Sequence, residues 1–338
     1  MIKLDKQYKN ALKDYKFIDL FCGIGGFHLA LNSFGAECVF ASDIDEMARN
    51  VYKKNFKIEP KGDIIPIVKN AKKEIPSHDI LCAGFPCQSF SISGNQAGFK
   101  DKKTGKLFYE ITNIVKVHKP KFILLENVAN LEKHDKGNTI KTIKTELEKA
   151  GYSIHYKILN SSDYNIPQCR KRIYIVAFRN DIFSKKFNFP EKIDLSQKLN
   201  NLLDNDAKEI KNCIIKEKCY LRKKFRTIEK YCKKPYIRIG EIGEGRQGER
   251  VYSANGCSTT LSSSSGGLGG RTGIYYIDKK YRRLTPRECA RLMGFPDSFT
   301  IADTQNQAYK QFGNSVVVDV LQYIIINILN CITEENKK

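Results

Sequence analysis

The tetrapeptide Phe85-Pro86-Cys87-Gln88 presents a thiol in a setting that suits reaction. It follows the apolar run His78-Asp-Ile-Leu-Cys-Ala-Gly84 and opens into Ser89-Phe-Ser-Ile-Ser93-Gly94. A buried strand running into a Gly/Ser-rich loop delivers such a cysteine as an exposed nucleophile, and Pro86 fixes one backbone dihedral just ahead of it. The alternative is a buried core cysteine, the commoner state of a free thiol. Glu126 is a second candidate, because it opens Glu126-Asn-Val128 directly after the apolar run Phe122-Ile-Leu-Leu125. A carboxyl group at a strand end can give or take a proton, or it can be a solvated charge. Arg170 and Arg172 precede the alternating run 173–178, and that alternation would bring both near the edge that carries Glu126. The alternative for them is surface charge. The five histidines show no ligand spacing, so no metal is expected.

A third constellation would bind rather than react. Asp19-Leu-Phe21-Cys-Gly23-Ile-Gly25-Gly26 separates a strand from the helical pattern 27–33. Glycines there allow a tight turn and close approach of a ligand to the backbone. Asp43 ends the second predicted strand twenty residues after Gly23, where a Rossmann-like unit places a carboxylate for ribose hydroxyls. A dinucleotide fingerprint needs a third glycine at position 28, which is occupied by His28. Pyrophosphate is therefore disfavoured. S-adenosylmethionine, with ribose and adenine but no phosphate, fits the pattern better.

These groups need a scaffold to hold them. Short apolar runs alternate with helical patterns through the first half, which reads as a parallel sheet with crossover helices. The expected strands are 17–21, 37–42, 79–83, 121–125, 153–159 and 172–178. Ile140, Ile143 and Leu147 share a helical face, and Gly151 supplies a stop. Residues 183–282 turn lysine-rich and then Gly/Ser-rich, which suggests a smaller, loop-rich second domain. Order returns at Thr285, an N-cap followed by Pro286 and by Glu288 in capping-box spacing. The apolar stretch 315–331 reads as a helix packed back on the sheet.

Composition bounds the partners. The 338 residues carry 58 Lys/Arg against 37 Asp/Glu, a net charge of +21. Twelve Lys/Arg face four Asp/Glu within 205–238. Lysine enrichment can follow genome base composition, yet so local an excess points to a polyanion, of which nucleic acid is the commonest. The eleven cysteines form no CxxC pair, so reduced thiols are expected. No stretch suggests a membrane span and the first residues lack a signal-peptide core, so the expected setting is the cytoplasm, away from membranes.

Several segments together resemble the cytosine-C5 DNA methyltransferase family. They are Phe17-Ile-Asp-Leu-Phe-Cys-Gly-Ile-Gly-Gly26, Gly84-Phe-Pro-Cys-Gln-Ser-Phe-Ser-Ile-Ser-Gly94, Glu126-Asn-Val128 and Gln168-Cys-Arg-Lys-Arg172. Arg283-Leu-Thr-Pro-Arg-Glu-Cys-Ala-Arg-Leu-Met-Gly-Phe-Pro296 and Gln311-Phe-Gly-Asn-Ser-Val316 follow, in the family's order. The compact length is similar to that of bacterial type II modification enzymes. The resemblance implies an α/β fold, with a Rossmann-like S-adenosylmethionine-dependent methyltransferase domain and a smaller loop-rich target-recognition domain. It divides the chain into a catalytic and cofactor-binding domain at 1–190, a target-recognition domain with hinge at 191–304, and a C-terminal helix at 305–338 completing the first.

Residue by residue, Cys87 matches the nucleophile and Glu126 the carboxylate at the cytosine N3 edge. Arg172, with Arg170 beside it, resembles the arginine that holds the target base. Phe21, Gly23, Gly25, Asp43, Asp63, Ile64, Pro86, Leu107, Asn314 and Val316 match cofactor-binding positions. Ile44 stands where relatives often carry tryptophan against the adenine. Ser93 matches a residue that fills the helix after the base leaves, Gln247 and Arg250 match DNA-reading side chains, and Thr260 is expected at phosphates. In similar enzymes that Gln and Arg contact a GC-containing site, but Ser264 departs from an aromatic residue there. The expected site is therefore GC-centred without being identical to theirs.

The implied reaction is methyl transfer from S-adenosylmethionine to C5 of a flipped cytosine in double-stranded DNA through a Cys87–C6 adduct. A monomer paired in function with a cognate restriction endonuclease would suffice. A tRNA-directed enzyme and an inactive DNA-binding regulator are the alternatives. The long basic 183–282 region favours DNA over tRNA, and the presence of Cys87, Glu126 and Arg172 disfavours inactivity.

Overall fold

A computed structural model describes residues 2–86, 104–183, 187–231, 234–264 and 266–335. The chain forms two compact units. The first comprises Met1–Leu159, Lys171–Glu191 and Val320–Lys338, and the second Asn160–Arg170 and Lys192–Asp319.

In the first unit the elements are β1 (Lys16–Leu20), α1 (Gly26–Asn32), β2 (Glu37–Ser42), α2 (Glu46–Phe56), α3 (Ile64–Val68) and α4 (Ala71–Glu74). They continue with β3 (Ile80–Ala83), α5 (Thr104–His118), β4 (Phe122–Val128), α6 (Asn138–Lys149), β5 (Tyr152–Asn160) and β6 (Lys171–Arg179). The strands form one sheet in the order β2-β1-β3-β4-β6-β5. Strands β1 and β3 are buried along almost their whole length, as expected of uninterrupted apolar runs between helical layers. On one face Ile18, Leu20, Leu81, Ala83, Ile123 and Leu125 pack with Ile140, Ile143 and Leu147 of α6. The helical stripe read from the sequence is thus the buried stripe.

The sheet is not wholly parallel. Strands β2, β1, β3 and β4 run parallel, but β6 pairs antiparallel with β4. The ten residues before β6 hold only the 3-10 turn Ser161–Asp163, far short of the crossover a parallel return requires. Register then places five segments at one edge. Leu20 pairs with Ser42 and with Ala83, Ala83 pairs with Leu125, and Val128 pairs with Arg172. The residues after β1, β2, β3 and β4, and the first residues of β6, therefore share the carboxyl edge of the sheet, where open α/β sheets bind ligands.

The second unit contains α7 (Ala207–Cys213), β7 (Cys219–Leu221), α8 (Phe225–Tyr231), β8 (Arg238–Ile242), β9 (Arg250–Ser253), β10 (Ile274–Ile277) and β11 (Lys280–Arg282). Helices α9 (Pro286–Leu292) and α10 (Gln305–Asn314) follow. Its five strands form a separate mixed sheet, ordered β11-β10-β9-β8-β7. Ile237, Ile239, Val251 and Ile274 form its small core. Thr285 caps α9, accepting from the Glu288 amide, and the Glu288 carboxylate accepts from the Thr285 amide at 2.8 Å, as the spacing predicts.

The helical stretch Gln305–Ile332, which takes in most of α11 (Val318–Glu335), is long and apolar enough, by length and composition, to cross a membrane, contrary to the expectation that no stretch is. It is a core helix. Val320, Leu321, Ile324, Ile325 and Ile328 are buried, and the Gln322 side chain accepts from the Ile2 amide and donates to Ser33.

Candidate active site

The glycine turn takes its shape from left-handed backbone. Phe21, Gly23 and Gly25 have φ of 54°, 52° and 89°. A Cβ on Gly25 would overlap the Phe56 ring, so that position is closed to side chains. A Cβ on Gly23 would meet nothing within 4 Å among the described residues, so this part of the turn is open to a ligand.

Asp43 holds the turn. Its Oδ2 accepts from the Gly23 amide at 2.7 Å and its Oδ1 from the Asp45 amide at 2.8 Å. Burial pushes this carboxyl above the usual range, and those two amides pull it back. Each carboxylate oxygen can accept a second bond, so ribose hydroxyls remain within its chemical capacity. Arg49, which carries no motif signal, donates to the carbonyls of Asp43 (2.8 Å) and Ile44 (3.1 Å) and fixes the next bend. Ile44 stands 78% exposed, and Met47, also unmarked in the sequence, stands 55% exposed. Two large apolar side chains in water beside an acidic turn suit the flat face of a purine. Asp63 caps α3, accepting from the Ile65 amide at 3.0 Å, while Ile64 is buried behind it. Open space at Gly23, a carboxylate and apolar faces together fit a cationic nucleoside such as S-adenosylmethionine.

His28 takes no part in that surface. Its ring stacks on Phe56 with centroids 3.8 Å apart, and its Nδ1 lies 2.7 Å from the Tyr52 hydroxyl. Burial lowers its pKa to about 4. Asp19 is wholly buried; desolvation first, then the charge of Asp43, push its carboxyl well above the ordinary range.

Along the same edge, Glu126 forms an ion pair with Arg172, Oε1 to Nε at 3.1 Å. Arg172 also donates to the Lys171 carbonyl at 2.8 Å. Beside Glu126, Asn127 donates to the Phe85 carbonyl at 3.2 Å while its Oδ1 accepts from the Val128 amide. The residue after the carboxylate thus anchors the segment that leads into Cys87. Sequence reasoning passed over Asn127, although its place inside Glu126-Asn-Val128 was available as a signal. Phe85 is buried and Pro86 half-buried; Leu107 is half-buried on α5. Cys87 and Ser93 lie outside the described residues.

This edge has a counterpart among known proteins. The family model of the C-5 cytosine-specific DNA methylases matches residues 15–330. The chain belongs to this family. It is 48% identical over 324 residues to the type II methyltransferase M.HhaI of Haemophilus parahaemolyticus, with 96% of each chain covered. Identity to the type II methyltransferase M.DsaV of Dactylococcopsis salina is 40% over 330 residues, covering 96% of this chain and 90% of that one. The crystal structure of the S. pombe Dnmt2 methyltransferase shares the fold, with a TM-score of 0.71 at 22% identity over 96% of this chain and 99% of that one. The protein is a DNA cytosine-C5 methyltransferase with a Rossmann-like methyltransferase fold.

In this methylase the remaining expected residues belong to the second unit. Gln247 is exposed on the 3-10 turn Gln247–Glu249, and Arg250 begins β9, its Nε donating to the Gly245 carbonyl at 3.4 Å. Thr260 and Ser264 are exposed, and the Thr260 hydroxyl donates to the Cys169 carbonyl. Asn314 ends α10, and Val316 is buried. Arg170 differs from Arg172. It is 2% exposed and its guanidinium donates to the carbonyls of Leu261, Gly313 and Ser315 at 2.9, 3.0 and 2.6 Å.

Proposed function

We propose that the enzyme methylates a flipped cytosine of duplex DNA through a covalent adduct of Cys87, using S-adenosylmethionine. The Glu126–Arg172 ion pair, at the sheet edge that also carries the glycine turn and Pro86, is the observation that carries this reading.

Cytosine C5 is a weak nucleophile because the aromatic ring resists attack. The Cys87 thiolate adds at C6, forming the S–C6 bond and moving electron density toward N3 and C5. Glu126 supplies a proton at N3, so the ring takes up that density without net negative charge. Arg172 orients Glu126 and faces the same base. Bound S-adenosylmethionine supplies an electrophilic methyl group on its sulfonium. After C5 takes the methyl group, loss of the C5 proton to a base and expulsion of Cys87 restore the aromatic ring. Asp43, Ile44, Asp63, Ile64, Leu107, Asn314 and Val316 hold the donor, with Phe21, Gly23, Gly25 and Pro86 lining its site. The base must leave the stack to expose C6, and Ser93 fills the space left behind.

The first unit carries Glu126, Arg172 and most of the cofactor-binding residues, while the second carries Asn314 and Val316 and reads DNA through Gln247 and Arg250, with Thr260 at the backbone. The enzyme acts as a monomer in the bacterial cytoplasm and protects host DNA beside a cognate endonuclease. Labelled S-adenosylmethionine should transfer its methyl group to duplex DNA and not to tRNA, and Cys87→Ser should abolish transfer. DNA containing 5-fluorocytosine should trap a stable adduct, because fluorine cannot leave as the C5 proton does. Wild-type enzyme that methylates DNA without forming that adduct would refute the covalent route. Bisulfite mapping of the product gives the recognition site.

A further inference from the structure

We propose that Arg170 is a positioning residue that couples cofactor binding to DNA binding by clamping the backbone around Asn314 to the loop that carries Thr260 and Ser264. This rests on the reading above, in which Asn314 meets the cofactor and Thr260 meets DNA.

The clamp is built from backbone atoms. Arg170 reaches the Leu261 carbonyl with one terminal nitrogen and the Gly313 and Ser315 carbonyls with the other, so its plane brackets Asn314 on both sides. The guanidinium is rigid and always charged, which makes it a fixed template for three carbonyls, whereas a lysine ammonium is a point charge on a flexible stem. Gly313 reports the same closeness independently. A Cβ there would overlap the backbone of Ser262 and Ser263, so the two strands of chain touch main chain to main chain.

The neighbours extend this arrangement. The Gln168 side chain accepts from the Leu261 amide at 3.2 Å and donates to the Leu292 carbonyl at 3.1 Å. At the other end of α10, Arg271 donates to the Asn306 carbonyl and side chain at 2.7 and 2.6 Å, while its own carbonyl accepts from the Ser262 amide. The 261–262 loop is therefore tied to both ends of the helix that terminates in Asn314. Main-chain ties at Leu261 and Ser262 thus fix the position of that loop from below, and the Thr260 hydroxyl adds a tie to the Cys169 carbonyl. A ligand that orders one side of such a clamp pre-pays the ordering of the other, and linkage makes the effect reciprocal.

The test is a coupling measurement. Duplex affinity is measured by fluorescence anisotropy with and without S-adenosylhomocysteine, and affinity for labelled S-adenosylhomocysteine by equilibrium dialysis with and without duplex. Wild-type enzyme should show the same enhancement in both directions, on the order of 5- to 150-fold. In Arg170→Lys that factor should fall toward one while each ligand alone binds nearly as before, and Gly313→Ala should do the same by pushing the two backbones apart. If Arg170→Lys does not fold, Gly313→Ala and Arg271→Lys carry the test. A wild-type factor of one overturns the proposal. So does a pair of weakened affinities whose ratio is preserved, because a merely structural loss lowers both without uncoupling them. Methyl transfer to DNA is measured first; its failure defeats the functional reading, whereas normal transfer with unchanged coupling in the variants defeats only the clamp.

Discussion

Arg282 and Glu288 in the second unit, and Arg172 and Glu126 in the first, are the same two residue types put to different uses. Arg282 donates to both Glu288 oxygens at 2.7 and 2.8 Å, and those oxygens also accept from the amides of Thr285 and Asp204. Both side chains are almost completely buried, so every lone pair that matters is answered within the fold. Glu126 and Arg172 meet at 3.1 Å, with side chains 10% and 16% exposed, at the carboxyl edge of the first sheet. A carboxylate sealed in the interior organises structure; one at the carboxyl edge of an open sheet is placed to meet a substrate. Pairing by itself distinguishes neither, and position in the fold does.

The contrast fails if both pairs behave alike on mutation. Glu126→Gln should lower methyl transfer roughly 10²- to 10⁴-fold, in kcat and kcat/KM alike, while the denaturation midpoint stays close to wild type. Steady-state kinetics beside urea melts decide this, and a large stability loss with normal turnover per folded molecule would invert the assignment. Glu288→Gln should do the opposite. It strands Arg282 in the interior at about 3–5 kcal/mol, read as a fall in midpoint, with kcat of the remaining folded enzyme preserved.

Buried imidazoles sharpen the comparison through pH. Burial lowers His28 and His78 to about 4 from 6.5. Both are neutral in the folded chain, so their contribution is complete above pH 6.5 and drains away as pH falls toward 4, by about 3 kcal/mol each. His28→Phe should flatten part of that slope in urea melts between pH 7 and 4; an unaltered slope would show that other groups cause it. The smallest effect belongs to the cap of α9. Thr285→Ala should remove about 1 kcal/mol, and Thr285→Ser should restore most of it.

Much of the scaffold was legible because its signals are local. The six strands of the first sheet lie within a few residues of the expected runs, and the Thr285 cap is where its spacing placed it. The reversal of β6 was not legible, since an apolar run carries no direction and only the short connection before it excludes a crossover. The second sheet escaped because its strands are three to five residues long and carry charges, and because Gly240 interrupts β8 where a Cβ would overlap Tyr220.

The candidate site divides in the same way. Side chains at strand ends, such as Asp43 and Glu126, advertise themselves by type and position. Arg49, Asn127 and Arg170 act on backbone carbonyls, and a carbonyl has no letter in the sequence. Arg170 and Arg172 are two residues apart and identical in type, so only the fold separates the arginine that holds main chain from the one that meets a carboxylate.

The first unit is assembled from three separated pieces, the last beginning at Val320. A ribosome therefore delivers the strand ends that carry Asp43, Glu126 and Arg172 long before it delivers Leu321, Ile324 and Ile328, which are buried in the finished unit. During synthesis the first unit must wait, incomplete, while more than a hundred residues of the second unit emerge. A chain cut short before Val320 lacks the third piece of the first unit, and its strands are left to fold without it.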